Sequence, residues 1–372
     1  MRVLHVITEL TGGGAERFVT QLVPKIRESG MKCAVMSVYP SAVPADITSN
    51  DIDVIQIARR GRFDAGFFSR MIGGMKSWKP DVVHTHLHNG NYWGRAAAIA
   101  AGVPTIVRTE HSPCDPSTRV PGSGIADRVL NNASGAIVTF MEEQGRFLAR
   151  FEGLNFNKIA IIPNGIVHGP VPNATAVLEG RKRLGVDPGT FAIVQLGNLH
   201  KVKNQRLAIQ TLAAVDPALR HRVRLYFLGE GADRPALVQL ARDLRMEHCV
   251  KFLGYRTDVA RVLPGANLVI MPSLKEGMPL ALLEAMSAGV PVLTTPWIGA
   301  RDLLENGASG TISEDWKPST LAHCVETIVT DYEGARALAR RAQNVVRREY
   351  DIALTAKRHI ALYERLSARK AA

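Results

Sequence analysis

A chain of 372 residues is too long for one ordinary domain and comfortable for two. Hydrophobic residues at 46% and charged ones at 22% are ordinary for a soluble globular protein, and no stretch approaches the roughly 20 apolar residues of a membrane span. The net charge of +12 suits nucleic acid, anionic lipid or phosphorylated substrates. No aromatic–basic interleaving, helix-turn-helix or zinc-finger pattern accompanies it, which argues against nucleic acid.

Cysteines at 33, 114, 249 and 324 show neither paired nor metal-ligand spacing and read as unlinked thiols of a reducing compartment. The opening Met1-Arg2-Val3-Leu4-His5-Val6-Ile7 is a strand rather than a signal peptide, so the expected location is the cytoplasm.

Short β-rich apolar runs alternate with helical stretches, the signature of βαβ units and parallel sheets. The first series of strands is Val3–Ile7, Cys33–Val38, Asp53–Ile57, Val82–His84, Thr105–Arg108, Gly135–Val138 and Ile159–Ile162. Helical patterns such as Ala15–Glu28, Phe63–Trp78 and Tyr92–Ala101 lie between them. Residues 163–175 are rich in proline and loop residues and read as an interdomain linker. A second series follows: Phe191–Leu196, Arg224–Leu228, Val250–Leu253, Leu268–Met271, Val290–Thr294 and Gly310–Ile312, then three helical stretches from Pro318 to Leu366. The expected fold is α/β, two Rossmann-like doubly wound domains whose strand carboxyl ends face a shared cleft. The expected domains are 1–167, on the acceptor side, and 168–350, binding the nucleotide, with a last helix at about 351–372 packing back on the first.

Three loops carry candidate chemistry. Thr11-Gly12-Gly13-Gly14-Ala15-Glu16 follows a strand and opens a helix, where glycines let backbone N–H groups approach a phosphate. A tight turn without ligand accounts for the same residues equally well. Dinucleotide binding fails, because Arg17 stands where the G-x-G-x-x-G fingerprint needs glycine and the second strand ends without a ribose-binding acid. In the second half, Gly197-Asn198-Leu199-His200-Lys201-Val202-Lys203 repeats the strand–loop–helix device, and a lysine there can neutralise a diphosphate as a point charge or stay a surface lysine. There is no Walker A sequence. Most specific is Glu276-Gly277-Met278-Pro279-Leu280 through Glu284, with Glu276 before a helix and Glu284 expected about two turns into it. Amides at 278 to 280 are expected to mark a helix N-terminus suited to an anion.

These residues resemble the retaining glycosyltransferases of family 4, with two-domain GT-B architecture, of the bacterial surface-polysaccharide type. The resemblance spans nearly the whole chain. It includes Gly13-Gly14-Ala15-Glu16, Asp81-Val82-Val83-His84-Thr85-His86, Thr109-Glu110-His111, Ile162-Pro163-Asn164-Gly165, Gly229-Glu230-Gly231, Pro272-Ser273 and the Glu276–Glu284 segment. It implies that Gly13 and Gly14 contact donor phosphates, that Lys203 holds the diphosphate and that Glu284 binds the ribose. Gly229 and the backbone of Tyr255 and Arg256 would lie near the base. Glu276 would sit by the donor sugar, with the amides of Gly277, Met278, Pro279 and Leu280 around it, and His111 would face the transferred sugar. The family usually has Gly-Arg where this chain has Gly197-Asn198, so one expected diphosphate cation is replaced by a neutral donor.

The implied reaction moves a hexose or N-acetylhexosamine from a UDP-sugar to a glycan or lipid-linked acceptor, with retention and without a metal or other cofactor. The one D-x-D, Asp51-Ile52-Asp53, reads as turn residues, and His84, His86 and His88 read as alternate residues of a strand end that lack a third ligand to close a metal site. A GT-B epimerase and a non-catalytic GT-B binding protein are the alternatives. Arg336, Arg340, Arg341, Arg347, Arg348, Lys357 and Arg358 crowd the last helices, as a solvated face or a peripheral contact with an anionic membrane.

Overall fold

The computed structural model describes residues 1–10, 12–43, 47, 50, 52–61, 63–113 and 124–371; Thr11, Asp51 and Cys114 lie outside the described residues. The chain divides into two compact units, Met1–Val167 with Tyr350–Ala372, and His168–Glu349.

The first unit holds seven parallel strands: β1 (Arg2–Ile7), β2 (Lys32–Ser37), β3 (Asp53–Gln56), β4 (Val82–His86), β5 (Thr105–Thr109), β6 (Ala136–Thr139) and β7 (Ile159–Ile161), in the order β3-β2-β1-β4-β5-β6-β7. β1, β2, β4 and β5 are buried along almost their whole length. β1 and β2 accordingly read as largely apolar runs, whereas β4 and β5 carry buried His84, Thr85, His86, Arg108 and Thr109. Leu4, Val6, Ala34, Met36, Val83 and Ile106 face the helix Phe67–Trp78 through Met71 and Met75.

The last helix, Ile352–Ala371, packs on the first, Gly14–Arg27. It is stitched in from the other side. Ile166 N donates to Tyr350 O at 2.9 Å, Ile352 N donates to Ile166 O at 3.0 Å, and Thr355 Oγ1 donates to Pro163 O at 3.1 Å. A Cβ on Gly165 would meet the Asp351 backbone at 2.8 Å, so the Asn164-Gly165 turn must be bare to lie under this helix.

The second unit has six parallel strands: β8 (Phe191–Leu196), β9 (Val223–Leu228), β10 (Val250–Phe252), β11 (Leu268–Met271), β12 (Val292–Thr294) and β13 (Thr311–Ile312), in the order β10-β9-β8-β11-β12-β13. Its core joins Ile193, Leu225, Phe227, Leu268 and Ile270 to Leu207 and Val325 from flanking helices. In both units strand order reverses beside the first strand, at β1/β4 and at β8/β11. Such a reversal opens a crevice at the strand carboxyl ends where ligands bind.

Two local expectations change. The predicted helix Phe63–Trp78 begins at Phe67. His88 is not on a strand: β4 stops at His86, Leu87 turns the chain at φ 60°, and His88 is exposed.

Candidate active site

In the second unit the loops after β8 and β11 meet at the reversal point. Lys203 ends a short turn, Lys201–Lys203, and its Nζ donates to Glu276 Oε1 and Oε2 at 2.8 and 2.9 Å. Ser273 Oγ donates to the same carboxylate at 2.6 Å. The Glu276 side chain is 8% exposed and that of Lys203 27%, so the pair is partly withdrawn from water and poorly screened. Ser273 is itself fixed, since its carbonyl accepts from Thr295 Oγ1 at 2.6 Å and Trp316 Nε1 at 3.1 Å. Asn198 and Lys201 are exposed; the Asn198 carbonyl accepts from Gln205 Nε2 at 2.9 Å.

The helix Leu280–Ser287 starts at an extended Pro279. Proline has no N–H, so the expected run of amides from 277 to 280 is broken at 279. The helix start leaves the Leu280 and Ala281 amides without acceptors one turn back. Glu284 lies one turn into the helix, not two, and is half-buried beside buried Leu282, Leu283, Ala285 and Met286.

Gly229 adopts φ 154°, and a Cβ there would collide with the Gly197 carbonyl oxygen. That close approach of the β8 and β9 ends requires glycine. Tyr255 is 56% exposed. The Arg256 guanidinium is committed to Asp258 through two bonds of 2.7 Å, leaving its backbone, not its charge, for a ligand. The Arg256 guanidinium holds the Asp258 carboxyl down to about 2.

In the first unit Gly13 precedes the helix Gly14–Arg27 with extended backbone. Glu16 folds back so that a Cβ on Gly13 would collide with its carboxylate. Burial raises the Glu16 carboxyl above its usual range. A phosphate approaching this helix start therefore meets an acid of the same chain.

Five histidines gather around β1, β4 and β5: His5 within β1, His84 and His86 in β4, His111 just after β5, and His359 on the last helix. His5 and His84 are register partners on adjacent strands. His5 Nδ1 lies 3.1 Å from His86 Nε2, and His86 Nδ1 lies 3.1 Å from His111 Nε2. His84 Nδ1 meets Tyr363 Oη at 2.6 Å and Nε2 meets Thr109 Oγ1 at 2.6 Å. His359, from the last helix, has Nδ1 2.9 Å from Thr355 O, and its ring lies tilted to that of His84 at 5.4 Å. Burial pushes His5 down to about 3, His111 and His359 down to about 4, and His84 and His86 well below the usual imidazole range. The third ring that two-histidine spacing lacked is His5: ligand atoms of His5, His84 and His86 lie within 4.8 Å of one another.

Beneath His111 is a buried charge network. Arg108 contacts Glu110, reaches Glu152 at 2.8 Å, and reaches Asn131 Oδ1 at 3.0 Å; Asn131 in turn accepts from Arg95 at 2.6 Å. Glu110 Oε1 accepts from Ser112 N at 2.9 Å, which ties the residues flanking His111 to the network. Burial opposes the Arg108 charge, but Glu110 and Glu152 outweigh it and hold the guanidinium above its ordinary range. Burial, then the Arg108 charge, pulls Arg95 down to about 9.

The model of glycosyltransferase family 4 matches residues 12–186, and that of glycosyl transferases group 1 matches residues 178–345. The chain is a GT-B glycosyltransferase of the family 4 type. It is 28% identical over 306 residues to a putative glycosyltransferase, EpsF, of Bacillus subtilis, covering 78% of each chain. It is 28% identical over 249 residues to the Escherichia coli UDP-Gal:alpha-D-GlcNAc-diphosphoundecaprenol alpha-1,3-galactosyltransferase, covering 64% of each. The fold matches that of Anabaena HepE, solved with UDP and glucose, at a TM-score of 0.85 and 20% identity over 97% of this chain and 99% of that one.

The first unit of this glycosyltransferase also holds a pocket of about 720 Å³, lined by Arg59, His88, Tyr92, Trp93, Val129 and others. The Arg59 guanidinium lies 4.3 Å from the Phe67 ring centre and 5.6 Å from that of Trp93. A cation over aromatic faces beside an apolar wall suits a ligand with an anionic end and an apolar or ring-shaped body. Sequence reading missed Arg59, Arg108, Glu152 and His5. The last three carried a signal, a charge or an imidazole inside an otherwise apolar strand or helix face.

Proposed function

We propose that this glycosyltransferase is retaining and metal-independent and moves a hexose or N-acetylhexosamine from a UDP-sugar to a glycan or lipid-linked acceptor in bacterial surface-polysaccharide synthesis. The observation that carries the reading is the Lys203–Glu276–Ser273 cluster beside the N-terminus of Leu280–Ser287, with Glu284 one turn on. The named substrates of the E. coli relative and the UDP and glucose of HepE support the donor class.

In this reading Glu284 takes the ribose, the Tyr255–Arg256 backbone and Gly229 the base, and Lys203 the diphosphate, with Asn198 as a neutral donor. The bond between the anomeric carbon and phosphate oxygen breaks, and UDP departs with the electron pair. Lys203 and the start of the helix Leu280–Ser287 stabilise that charge as a preorganised positive field. The acceptor oxygen bonds to the anomeric carbon on the face the diphosphate leaves, its proton passing to the departing phosphate oxygen. His111 and Glu276 hold the sugar between these events. The Arg59 pocket is the proposed acceptor side.

Cytoplasmic placement with peripheral contact to an anionic membrane is part of the proposal. Among the described residues no helix is long and apolar enough to cross a membrane. Arg336 and Arg340 are exposed, whereas Arg341 pairs with Glu305 at 2.8 Å and Arg347 donates to Gly169 O at 2.7 Å, so contact rests on part of the basic set.

The test incubates the purified chain with UDP-glucose, UDP-galactose and UDP-N-acetylglucosamine, with and without a chelator, and reads the product anomer by NMR. Hydrolysis or transfer surviving chelation with an α product supports the proposal. Loss on chelation restored by magnesium or manganese overturns metal independence, and a β product overturns retention. A 2-epimerised nucleotide sugar formed without acceptor identifies an epimerase. UDP binding without turnover identifies a binding protein.

A further inference from the structure

The three rings His5, His86 and His111 form a chain with a direction. A neutral imidazole carries one N–H and one lone pair. Each of the two 3.1 Å N···N contacts needs one hydrogen, and His86 takes part in both. If both neighbours donated to it, His86 would be an anion. If it donated to both, it would be a cation, which its burial opposes. The two hydrogens therefore run the same way along the chain.

Two directions remain. In one, His111 donates to His86, His86 donates to His5, and the hydrogen of His5 sits on Nε2. That nitrogen is buried and has no hydrogen-bond partner among the described residues. Both directions leave His5 Nε2 unpaired, but only this one strands a polar hydrogen there, and orphaned buried N–H groups are rarer than under-used acceptors. In the other, His5 donates from Nδ1, His86 donates from Nδ1, and Nε2 of His5 keeps only a lone pair. His111 then accepts at Nε2 and carries its hydrogen on Nδ1, the nitrogen of a half-buried ring that no residue among those described engages.

We infer that His86 and His5 are positioning residues that fix His111 as its Nδ1–H tautomer, so that it presents a hydrogen-bond donor to the transferred sugar. This rests on the proposed place of His111 beside the donor. His84 does separate work. Its two nitrogens are engaged by Tyr363 and Thr109, which lock the β4 end to β5 and to the last helix. A cation held by His5, His84 and His86 is the competing arrangement, and it requires His84 to release one of those hydroxyls.

Long-range proton–nitrogen correlation spectra of protein carrying isotope-labelled histidine read the tautomer of each ring, with a His111→Gln variant assigning the signal. Wild type at neutral pH is expected to show His111 protonated on Nδ1. His86→Leu should turn it into a tautomer mixture and lower kcat roughly ten- to hundredfold, the usual effect of losing a group that orients a functional histidine. The donor KM should change little. His86→Asn, whose amide N–H reaches the Nδ1 position, should regain both the tautomer and most of the rate. His5→Leu should act in the same direction, more weakly.

An Nε2-protonated His111 in wild type overturns the inference, as does an unchanged tautomer in His86→Leu or a stoichiometric cation in the purified protein. If His86→Leu does not fold, the wild-type spectrum decides alone. Transfer with an Nε2–H His111 sinks this inference and spares the proposed function. An Nδ1–H His111 in a protein inert toward all UDP-sugars does the reverse.

Discussion

Lys203 and Glu276 form a two-pronged ion pair, Nζ to both carboxylate oxygens at 2.8 and 2.9 Å, at the place proposed for the donor diphosphate. An ammonium has three hydrogens, so this grip leaves one for a phosphate. Glu276 therefore does two opposing things. It holds the lysine in place, and it withdraws part of the positive potential a diphosphate would meet.

The two charges should consequently shift UDP affinity in opposite directions. Lys203→Ala is expected to weaken UDP about tenfold or more, since a charge-assisted hydrogen bond contributes roughly 1.5–3 kcal/mol. Glu276→Gln should tighten UDP while lowering sugar transfer, because it removes a competing anion but also a proposed sugar contact. Calorimetry of UDP with both variants checks this. Weaker UDP binding by Glu276→Gln would mean that holding the lysine matters more than shielding it.

Arg108 is the cation between two buried acids, Glu110 and Glu152. Its removal strands both carboxylates, and breaking a buried pair from one side costs about 3–5 kcal/mol. Arg108→Ala is therefore expected to lower the melting temperature sharply and to loosen the His111 segment through Glu110 and Ser112. A melt within a degree or two of wild type would show that water reaches the network.

The central strands such as β2, β8 and β11 were legible because parallel strands buried on both faces read as apolar runs. The less buried edge strands β3, β7, β10 and β13 were legible through their place in the alternation with helices, and all thirteen fall within two residues of expectation. Glu276, Lys203 and Asn198 were legible as loop residues at strand ends. What the sequence hid was the pairing of side chains across strands. His5 and His84 are seventy-nine positions apart, and only the β1–β4 register makes them partners. His359 arrives from the far end of the chain. The Lys203–Glu276 bond was equally hidden, since β8 and β11 become neighbours only when the winding reverses. Pro279 is a different failure: its lack of an amide was readable without any structure.

The histidine cluster makes stability depend on pH. His5 is pushed down to about 3, and His111 and His359 to about 4, from an ordinary value of 6.5. These rings stay neutral in the folded chain, while the unfolded chain takes up protons as pH falls below 6.5. Stability is thus fully present above about pH 6.5 and is lost on moving down toward pH 4, by about 1 kcal/mol per ring at pH 5.5. Calorimetric melting between pH 7.5 and 5, above most carboxylate titration, should show the fall, and His359→Leu should flatten it. A pH-independent melt over that range would mean that the rings are solvated.

Asn198 offers the sharpest test of where the diphosphate lies. It is exposed at the end of β8, five residues before Lys203, and the family usually has arginine there. Asn198→Arg is expected to tighten UDP by about tenfold if one bidentate contact forms. The rate need not rise with it, because a contact made equally in substrate and transition state improves affinity alone. Lys201→Ala should leave UDP binding near wild type, since Lys201 is exposed and outside the Glu276 cluster. If Asn198→Arg binds no better and Lys201→Ala is as damaging as Lys203→Ala, the diphosphate sits on the outer lysine. The partly buried Lys203–Glu276 pair would then be a structural brace for the β8 and β11 loops.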